Sequence, residues 1–354
     1  MRALPAVLSA LSLASRAPPA VLQAATATGS EKLLRSLFDG VVSSDEVAAA
    51  CAPNVEWDDM GAKSPIIGPA AVRDLIASKY PPGSLLVLDR VSDGRSSGGF
   101  TFHRESEDRP GVAGLRGTLF AELDSDGKIK YVREGAEPIF KPGEATETLL
   151  KAATKDMERP PKPEPTYVQD TPTTASGIVK YLWEEAYPKG AEPTEGLRLF
   201  AEDIRYEDFN YPKPFEGKAA VLEFVTAFDI PGIEFVPLKV SEGERAVAFT
   251  WIVKVNGQDG PSGISFYEVD EAGKVCFIRD IPAPSPAVSP SPGAPKAMPE
   301  RDAHKEPPLS LPHAPQRRAE LHALPAIARW HGSARWHGSC SLARLLLAGT
   351  APYC

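Results

Sequence analysis

Cysteine is scarce in this chain: only Cys51, Cys276, Cys340 and Cys354 occur among 354 residues. None stands at CxxC spacing, which excludes a disulfide framework and leaves free thiols as the reading. Histidine is scarcer still in the body of the sequence, where His103 stands alone ahead of the C-terminal tail. With one such histidine and no paired cysteines, a transition-metal site is not expected. HExxH, a P-loop, GxGxxG and a nucleophile elbow are all missing, so no motif calls for a cofactor. No apolar run reaches the roughly 18 residues that a membrane-spanning helix needs. A net charge of −8 and a pI near 5.4 argue against a nucleic-acid surface.

Acidic residues are absent from residues 1–30, a segment with Arg2, Arg16, several serines and many alanines. That composition is expected of an organelle presequence, with the plastid favoured and the mitochondrion or the secretory route as alternatives. The 36 prolines gather at Pro160–Pro172 and from Pro282 onward, marking a linker and a tail. The expected organisation is a presequence at 1–30, a first domain at 31–142 and a linker at 143–173 with a helical start. A second domain follows at 174–284, then a proline-rich and basic tail at 285–354. Residues 301–354 hold seven Lys/Arg against three Asp/Glu and repeat Ala-Arg-Trp-His-Gly-Ser at 328–333 and 334–339. A disordered extension is the expectation there, and no function is placed on it.

What is present is a duplication. At an offset of 149, Ala52–Ile76 (APNVEWDDMGAKSPIIGPAAVRDLI) lies beside Ala201–Val225 (AEDIRYEDFNYPKPFEGKAAVLEFV) without a gap, and seven of 25 positions are identical. Ordinary composition gives about one or two by chance. After a three-residue difference in a hairpin loop the offset becomes 146. Phe120, Glu122, Asp124, Gly127, Lys128 and Arg133 then meet Phe266, Glu268, Asp270, Gly273, Lys274 and Arg279. A period this long predicts two whole domains rather than a solenoid.

Each copy reads alike. Leu33, Leu34, Leu37, Phe38 and Val41 recur at helical spacing, as do Ile178, Val179, Leu182, Trp183 and Ala186. A second helix follows with Asp45 as its expected cap, then a strand at Val55–Asp59 or Ile204–Asp208. A turn with Pro65 and Gly68, or Pro214 and Gly217, leads into a third helix at Ala70–Lys79 or Ala219–Phe228. Strand patterns at Leu85–Val91, Gly99–Arg104, Leu115–Leu123 and Ile129–Glu134 close the module. The fold class expected is α+β: two tandem cone-shaped modules, each a curved antiparallel sheet wrapped on about three helices.

Helix, helix, V-x-W-x-D, Pro-x-x-Gly, helix and a closing four-strand sheet resemble the SnoaL-like branch of the nuclear transport factor 2-like superfamily. The second copy, with YEDFNYPKPFEGKAAVLEF and GISFYEVDEAGKVCFIRD, carries the closer match. The first, with GFTFHRESEDRPGVAGLRGTLFAEL and KYVREGAEPIFKPGE, looks like its partner in tandem plastid proteins of plants and algae. The resemblance covers about 230 residues and implies a cystatin-like α+β fold. It implies no single activity, since the superfamily holds isomerases, cyclases, dehydratases, epoxide hydrolases and non-catalytic binders.

Alternation puts Val55, Trp57 and Asp59 on one face of their strand, and Ile204, Tyr206 and Asp208 on the equivalent face. A carboxylate at the end of an apolar wall could serve as a general base, as in isomerases of the superfamily. The alternative is that both aspartates open or cap the following turn. Arg133 and Arg279 share one position on the last strand and could pair with Asp59 or Asp208, or simply tie strands together. Asp208, Arg279 and Asp280 resemble an epoxide-hydrolase set, but Arg279 and Asp280 are adjacent and face opposite sides. His103 could act as an auxiliary acid in the first module only, because Ile252 replaces it in the second; a surface histidine is the other reading. Trp57, Tyr206 and Trp251 are candidate pocket walls or core, as is Trp183. Two functions follow as expectations. One is an organellar binding protein whose two modules pack through their sheets or hold an apolar small molecule or a protein partner, the latter met through the sheet faces. The other is a cyclase or isomerase working through Asp59 or Asp208.

Overall fold

The structure is a computed structural model that describes residues 29–106, 109, 111–156 and 171–283. Most of the expected presequence at 1–30, the proline-rich half of the expected linker and the expected tail lie outside the described residues.

In the first module, α1 (Gly29–Phe38) buries Leu34, Leu37 and Phe38, the i, i+3, i+4 stripe of an amphipathic helix. Helix α2 (Ser44–Ala50) is capped by Ser43, whose hydroxyl accepts the Glu46 amide, while Asp45 lies inside the first turn. Ser43 takes the role expected of Asp45 because it has the extended backbone of a cap residue. Strands β1 (Cys51–Asp59) and β2 (Ile66–Ile67) precede α3 (Pro69–Lys79). Gly68 stands before α3 at φ +87° and Gly217 at φ +81° in the second copy, a conformation that explains why both copies need glycine here. Strands β3 (Ser84–Val91), β4 (Ser97–Ser106), β5 (Arg116–Leu123) and β6 (Ile129–Ala136) complete the sheet.

A linker helix, α4 (Glu144–Ala153), leads toward the second module. There α5 (Ala175–Lys180) continues as a wider π-helical turn over Tyr181–Ala186, followed by α6 (Pro193–Leu197). The remainder repeats the first module: β7 (Phe200–Asp208), β8 (Phe215–Glu216), α7 (Lys218–Ala227), β9 (Ile233–Val240), β10 (Ala246–Val255), β11 (Gln258–Val269) and β12 (Val275–Pro282).

The two sheets have orders β2-β1-β6-β5-β4-β3 and β8-β7-β12-β11-β10-β9. They are mixed rather than purely antiparallel: β1 runs parallel to β6, and β7 to β12. The last strand returns to the first across the whole module, so the pair closes by a long connection and not by a hairpin. One face of each sheet packs on its own helices. Phe38, Trp57, Phe100 and Phe102 fill that core in the first module. The opposite faces pack on each other, around Phe120, Phe209, Phe266, Phe277 and Ile281.

This back-to-back interface has the symmetry of a dimer. Arg90 pairs with Glu268 and, at the repeat-related positions, Lys239 pairs with Glu122 at 2.7 Å. Arg90 lies 4.0 Å over the Phe277 ring, and Lys239 lies 4.5 Å over Tyr131. The Asp93 carboxylate accepts the Arg245 and Ala246 amides at 3.0 and 3.1 Å. Glu242 answers by accepting the Ser96 amide and hydroxyl at 3.4 and 2.9 Å. Each of these contacts made by one module is returned by the other, which is the property of an isologous two-fold interface. The sheet faces expected to receive a protein partner are therefore covered by one another.

Candidate functional site

Asp59 and Glu134 are register partners across β1 and β6, and Asp208 and Asp280 are partners across β7 and β12. Each module thus carries two carboxyl groups side by side on the helix-facing side of its sheet. Their surroundings differ.

In the first module the pair is neutralised from α3. Lys79 Nζ lies 2.7 Å from Asp59 Oδ2 and 3.0 Å from Glu134 Oε2. Asp59 Oδ1 accepts the Gly61 amide at 2.9 Å, and the Tyr80 hydroxyl donates to Glu134 Oε1 at 2.9 Å. Burial alone would lower the Lys79 ammonium; the Glu134 and Asp59 carboxylates outweigh it and raise it above its ordinary value. Glu134 is fully buried, and so is Trp57 beside it. The Lys79 ammonium thus fills the place between the two carboxylates.

In the second module Phe228 occupies the position of Lys79, and no cation among the described residues pairs with Asp208 or Asp280. Asp208 Oδ1 accepts the Asn210 amide at 2.7 Å, matching the Asp59–Gly61 turn. Asp280 accepts from the Tyr206 hydroxyl at one oxygen and from the Ser265 hydroxyl at the other. The Trp251 indole N–H donates to Ser265 Oγ at 2.8 Å, extending the chain of donors into the aromatic wall. Burial and then the neighbouring Asp280 charge push Asp208 up to about 7. Burial pushes Asp280 up to about 6, opposed by its bonds to Ser265 and Tyr206. The two act as one titrating pair between about 6 and 7. Tyr206 and Tyr267 are held well above the ordinary tyrosine value, by burial first and by Asp280 second.

The aromatic lining also separates the modules, whereas exposure does not: Asp208 and Asp280 retain 9% and 8%, and in the first module Glu134 is at 0% and the Asp59 side chain at 19%. Trp183, Tyr187, Tyr211, Phe215, Phe228 and Phe235 all stay partly exposed around the second core. None of the partly buried hydrophobic residues packed on the first core is aromatic. The π-helical turn carries Trp183, whose ring centroid is 4.3 Å from Phe235. Phe235 in turn is 4.9 Å from Trp251. Apart from this site, a shallow depression of about 640 Å³ lies by α1, lined by Lys32, Ser36, Arg95, Ser96 and Asp124. It holds no part of either acidic pair.

The residues expected from the sequence are distributed over both faces. Asp59 and Asp208 reach the helix side, as alternation requires. Arg133 and Arg279 do not join them. Arg133 pairs with Asp58 at 3.1 Å and donates to Ser262 Oγ at 2.6 Å. Arg279 pairs with Glu207 at 2.7 Å and donates to Gly117 O at 3.2 Å, between the modules. Both arginines follow the strand's alternation to the opposite face. His103 sits on that face too, 2.6 Å from Asp89 and 3.2 Å from Glu105, away from Asp59. Tyr206 and Trp251 line the second site, whereas Trp57 is core. Sequence reading missed Lys79, Glu134, Ser265 and Tyr267, and placed Asp280 only with an arginine that points elsewhere. The one available signal was Lys79 against Phe228, a charge at an otherwise apolar helix end in one copy alone. Among the described residues no group of three His, Cys, Asp or Glu side chains is gathered as for a metal ion.

No curated protein matches the chain by sequence. Among solved structures, a SnoaL-like family protein from Agrobacterium tumefaciens is 21% identical over 30% of this chain and 93% of its own, with a TM-score of 0.25. An NTF2-like protein of unknown function from Mesorhizobium loti is 15% identical over 33% and 96%, with a TM-score of 0.27. A steroid delta-isomerase from Pseudomonas aeruginosa is 17% identical over 26% and 69%, with a TM-score of 0.23. Residues 189–278 match the model of the SnoaL-like domain family. The chain therefore carries a SnoaL-like domain in its second module, and its first module repeats the same architecture beside it.

Proposed function

We propose that the second module binds a small molecule at the Asp208–Asp280 pair, and that the first module is its scaffold. The observation that carries this reading is the acidic pair itself. It is sequestered beside Tyr206, Ser265 and Trp251, faces partly exposed aromatic rings and lacks the lysine that fills the same place in the first module. A buried polar group without a countercharge costs stability, and ligand sites are where proteins carry such a cost. Native mass spectrometry of the protein from its own organism tests the reading. A retained small molecule that Asp208→Asn or Asp280→Asn releases supports it; protein of bare chain mass, or a ligand indifferent to both substitutions, counts against it.

A second reading has its own observation. Asp208 held near 7 is poised as a general base at neutral pH, the property a cyclase or isomerase needs beside a carbonyl. The Tyr206 hydroxyl would then stabilise the developing enolate, rather than Arg133 or Arg279. Exchange of an α-proton of a cyclic ketone in deuterated water, followed by NMR and abolished by Asp208→Asn, is the expected result. An organelle address remains the reading of residues 1–30, and their fusion to a fluorescent protein tests it.

A further inference from the structure

The duplicated unit contains its own comparison for the acidic pair, because the first module shows what the pair holds when it is occupied. There an ammonium on a methylene chain sits between the two carboxylates, 2.7 Å from Asp59 and 3.0 Å from Glu134. Asp59 uses Oδ1 for the Gly61 amide and Oδ2 for the ammonium. In the second module Asp208 keeps the corresponding amide bond to Asn210 at 2.7 Å. It faces Asp280 in the same register. The ammonium is missing, since Phe228 replaces Lys79 and cannot supply charge. Asp280 is also one methylene shorter than Glu134 and is drawn back by Tyr206 and Ser265.

From this we infer that the second module takes a ligand bearing a protonated amine, whose ammonium occupies the place of the Lys79 head group between Asp208 and Asp280. The inference rests on the small-molecule reading above and names its ligand class. The wall suits the rest of such a molecule. Trp183, Phe235 and Trp251 form a contiguous aromatic surface, and Phe224 and Phe228 pack at 5.1 Å on the helix side. Such rings accept both an apolar body and, through their faces, a cation. The other groups facing the pair are Tyr206, Ser265 and Tyr267 from the sheet and Asn210 and Tyr211 from the following loop, none of them cationic. The nearest lysine to act on Asp208, Lys141, is paired with Glu137 and lies over the Phe209 ring. Aromatic or alkyl primary amines are the class that fits.

The test uses the full chain and two probes of matched shape, 2-phenylethylamine and the neutral 2-phenylethanol. Binding is followed by calorimetry and by the fluorescence of the site tryptophans at several pH values. The expected result is tenfold or greater preference for the amine at pH 8. Amine affinity should rise between pH 5.5 and 8, as the pair gives up its proton. Phe228→Lys should abolish amine binding by restoring the internal ammonium, and Phe228→Leu should keep it. Asp208→Asn and Asp280→Asn, near-isosteric and uncharged, should remove the preference without removing the alcohol's binding. Equal or tighter binding of the alcohol overturns the ammonium assignment while leaving the small-molecule reading intact. Amine binding that survives both Phe228→Lys and Asp208→Asn overturns it as well. Failure of the folded protein to bind either probe overturns the assignment and counts against the reading beneath it.

Discussion

Lys79 and Phe228 stand at one position of the duplicated unit, and the exchange of one for the other turns an ion-paired carboxyl pair into one without a countercharge. Both stand at the C-terminal end of the third helix of their module, and only Lys79 brings a charge to its carboxyl pair. The same backbone therefore supports an ion-paired core and a candidate site, and the difference in charge rests on one side chain. Lys79→Met should leave Glu134 and Asp59 uncompensated in a buried setting. Removing one partner of a buried ion pair costs about 3–5 kcal/mol. Urea denaturation should show that loss at pH 7, largely recovered when Glu134→Gln is added.

The acidic pair of the second module sets a stability–pH slope. A group whose proton is held more tightly in the folded state stabilises at low pH and loses that contribution as pH rises through its folded value. For Asp208 and Asp280 the window runs from about pH 4, the ordinary aspartate range, up to about 7 and 6. Each tenfold gain in proton affinity on folding is worth about 1.4 kcal/mol, so the chain should be more stable at pH 5 than at pH 8 by about 2–4 kcal/mol. Glu207 and Glu137 are lowered. Burial alone would raise both carboxylates; Arg279 and Arg116 beside Glu207, and Arg116 and Lys141 beside Glu137, outweigh it. Their contribution is lost only as pH falls below about 4.5, outside this window. Thermal denaturation of Asp208→Asn should show a flattened profile and higher stability at pH 8.

Much of this arrangement was legible in the sequence, and the missing part has a physical cause. The offset of 149 located Trp57 opposite Tyr206 and Asp59 opposite Asp208, and simple alternation put those side chains on the helix side. The last strand resisted the same treatment. Both faces of β12 are buried, Ile278 toward the helices and Phe277 and Ile281 toward the other module. Hydrophobicity therefore does not tell which of Arg279 and Asp280 turns inward. The parallel register with β7 decides it, and that register is a long-range property. The role of His103 was hidden for the same reason, since the interface it borders belongs to the partner module.

Arg279 should behave as an interface residue. It is buried with Glu207 at 2.7 Å, reaches Gly117 of the first module and stacks over Phe209 at 5.3 Å. Arg279→Met strands the buried Glu207 and should cost about 3 kcal/mol, moderated by Arg116 and Arg205, which also pair with that carboxylate. His103→Gln, bordering the same interface at Asp89, should cost under about 1 kcal/mol. Neither substitution should alter 2-phenylethylamine affinity by more than twofold in the folded protein. A large change in affinity would return these residues to the site.

Gly99 offers the sharpest test that the two sheets are packed as one unit. It lies on β4 against the second module, where an added Cβ would stand 2.4 Å from Ala248 Cβ and 2.3 Å from Leu119 O. Neither neighbour can retreat: one is backbone of the adjacent strand, the other a methyl group in the inter-module core. Overpacking of this kind costs about 1–3 kcal/mol, and Gly99→Ala should reach the upper end. Its relief should be specific. Ala248→Gly removes the facing methyl group and should recover part of the loss in the double substitution, although each change destabilises alone. Non-additivity of about 0.5 kcal/mol or more marks direct contact, so a cycle of chemical denaturation measurements on these four proteins places the two sheets back to back. Strict additivity would mean that the modules do not meet at this point.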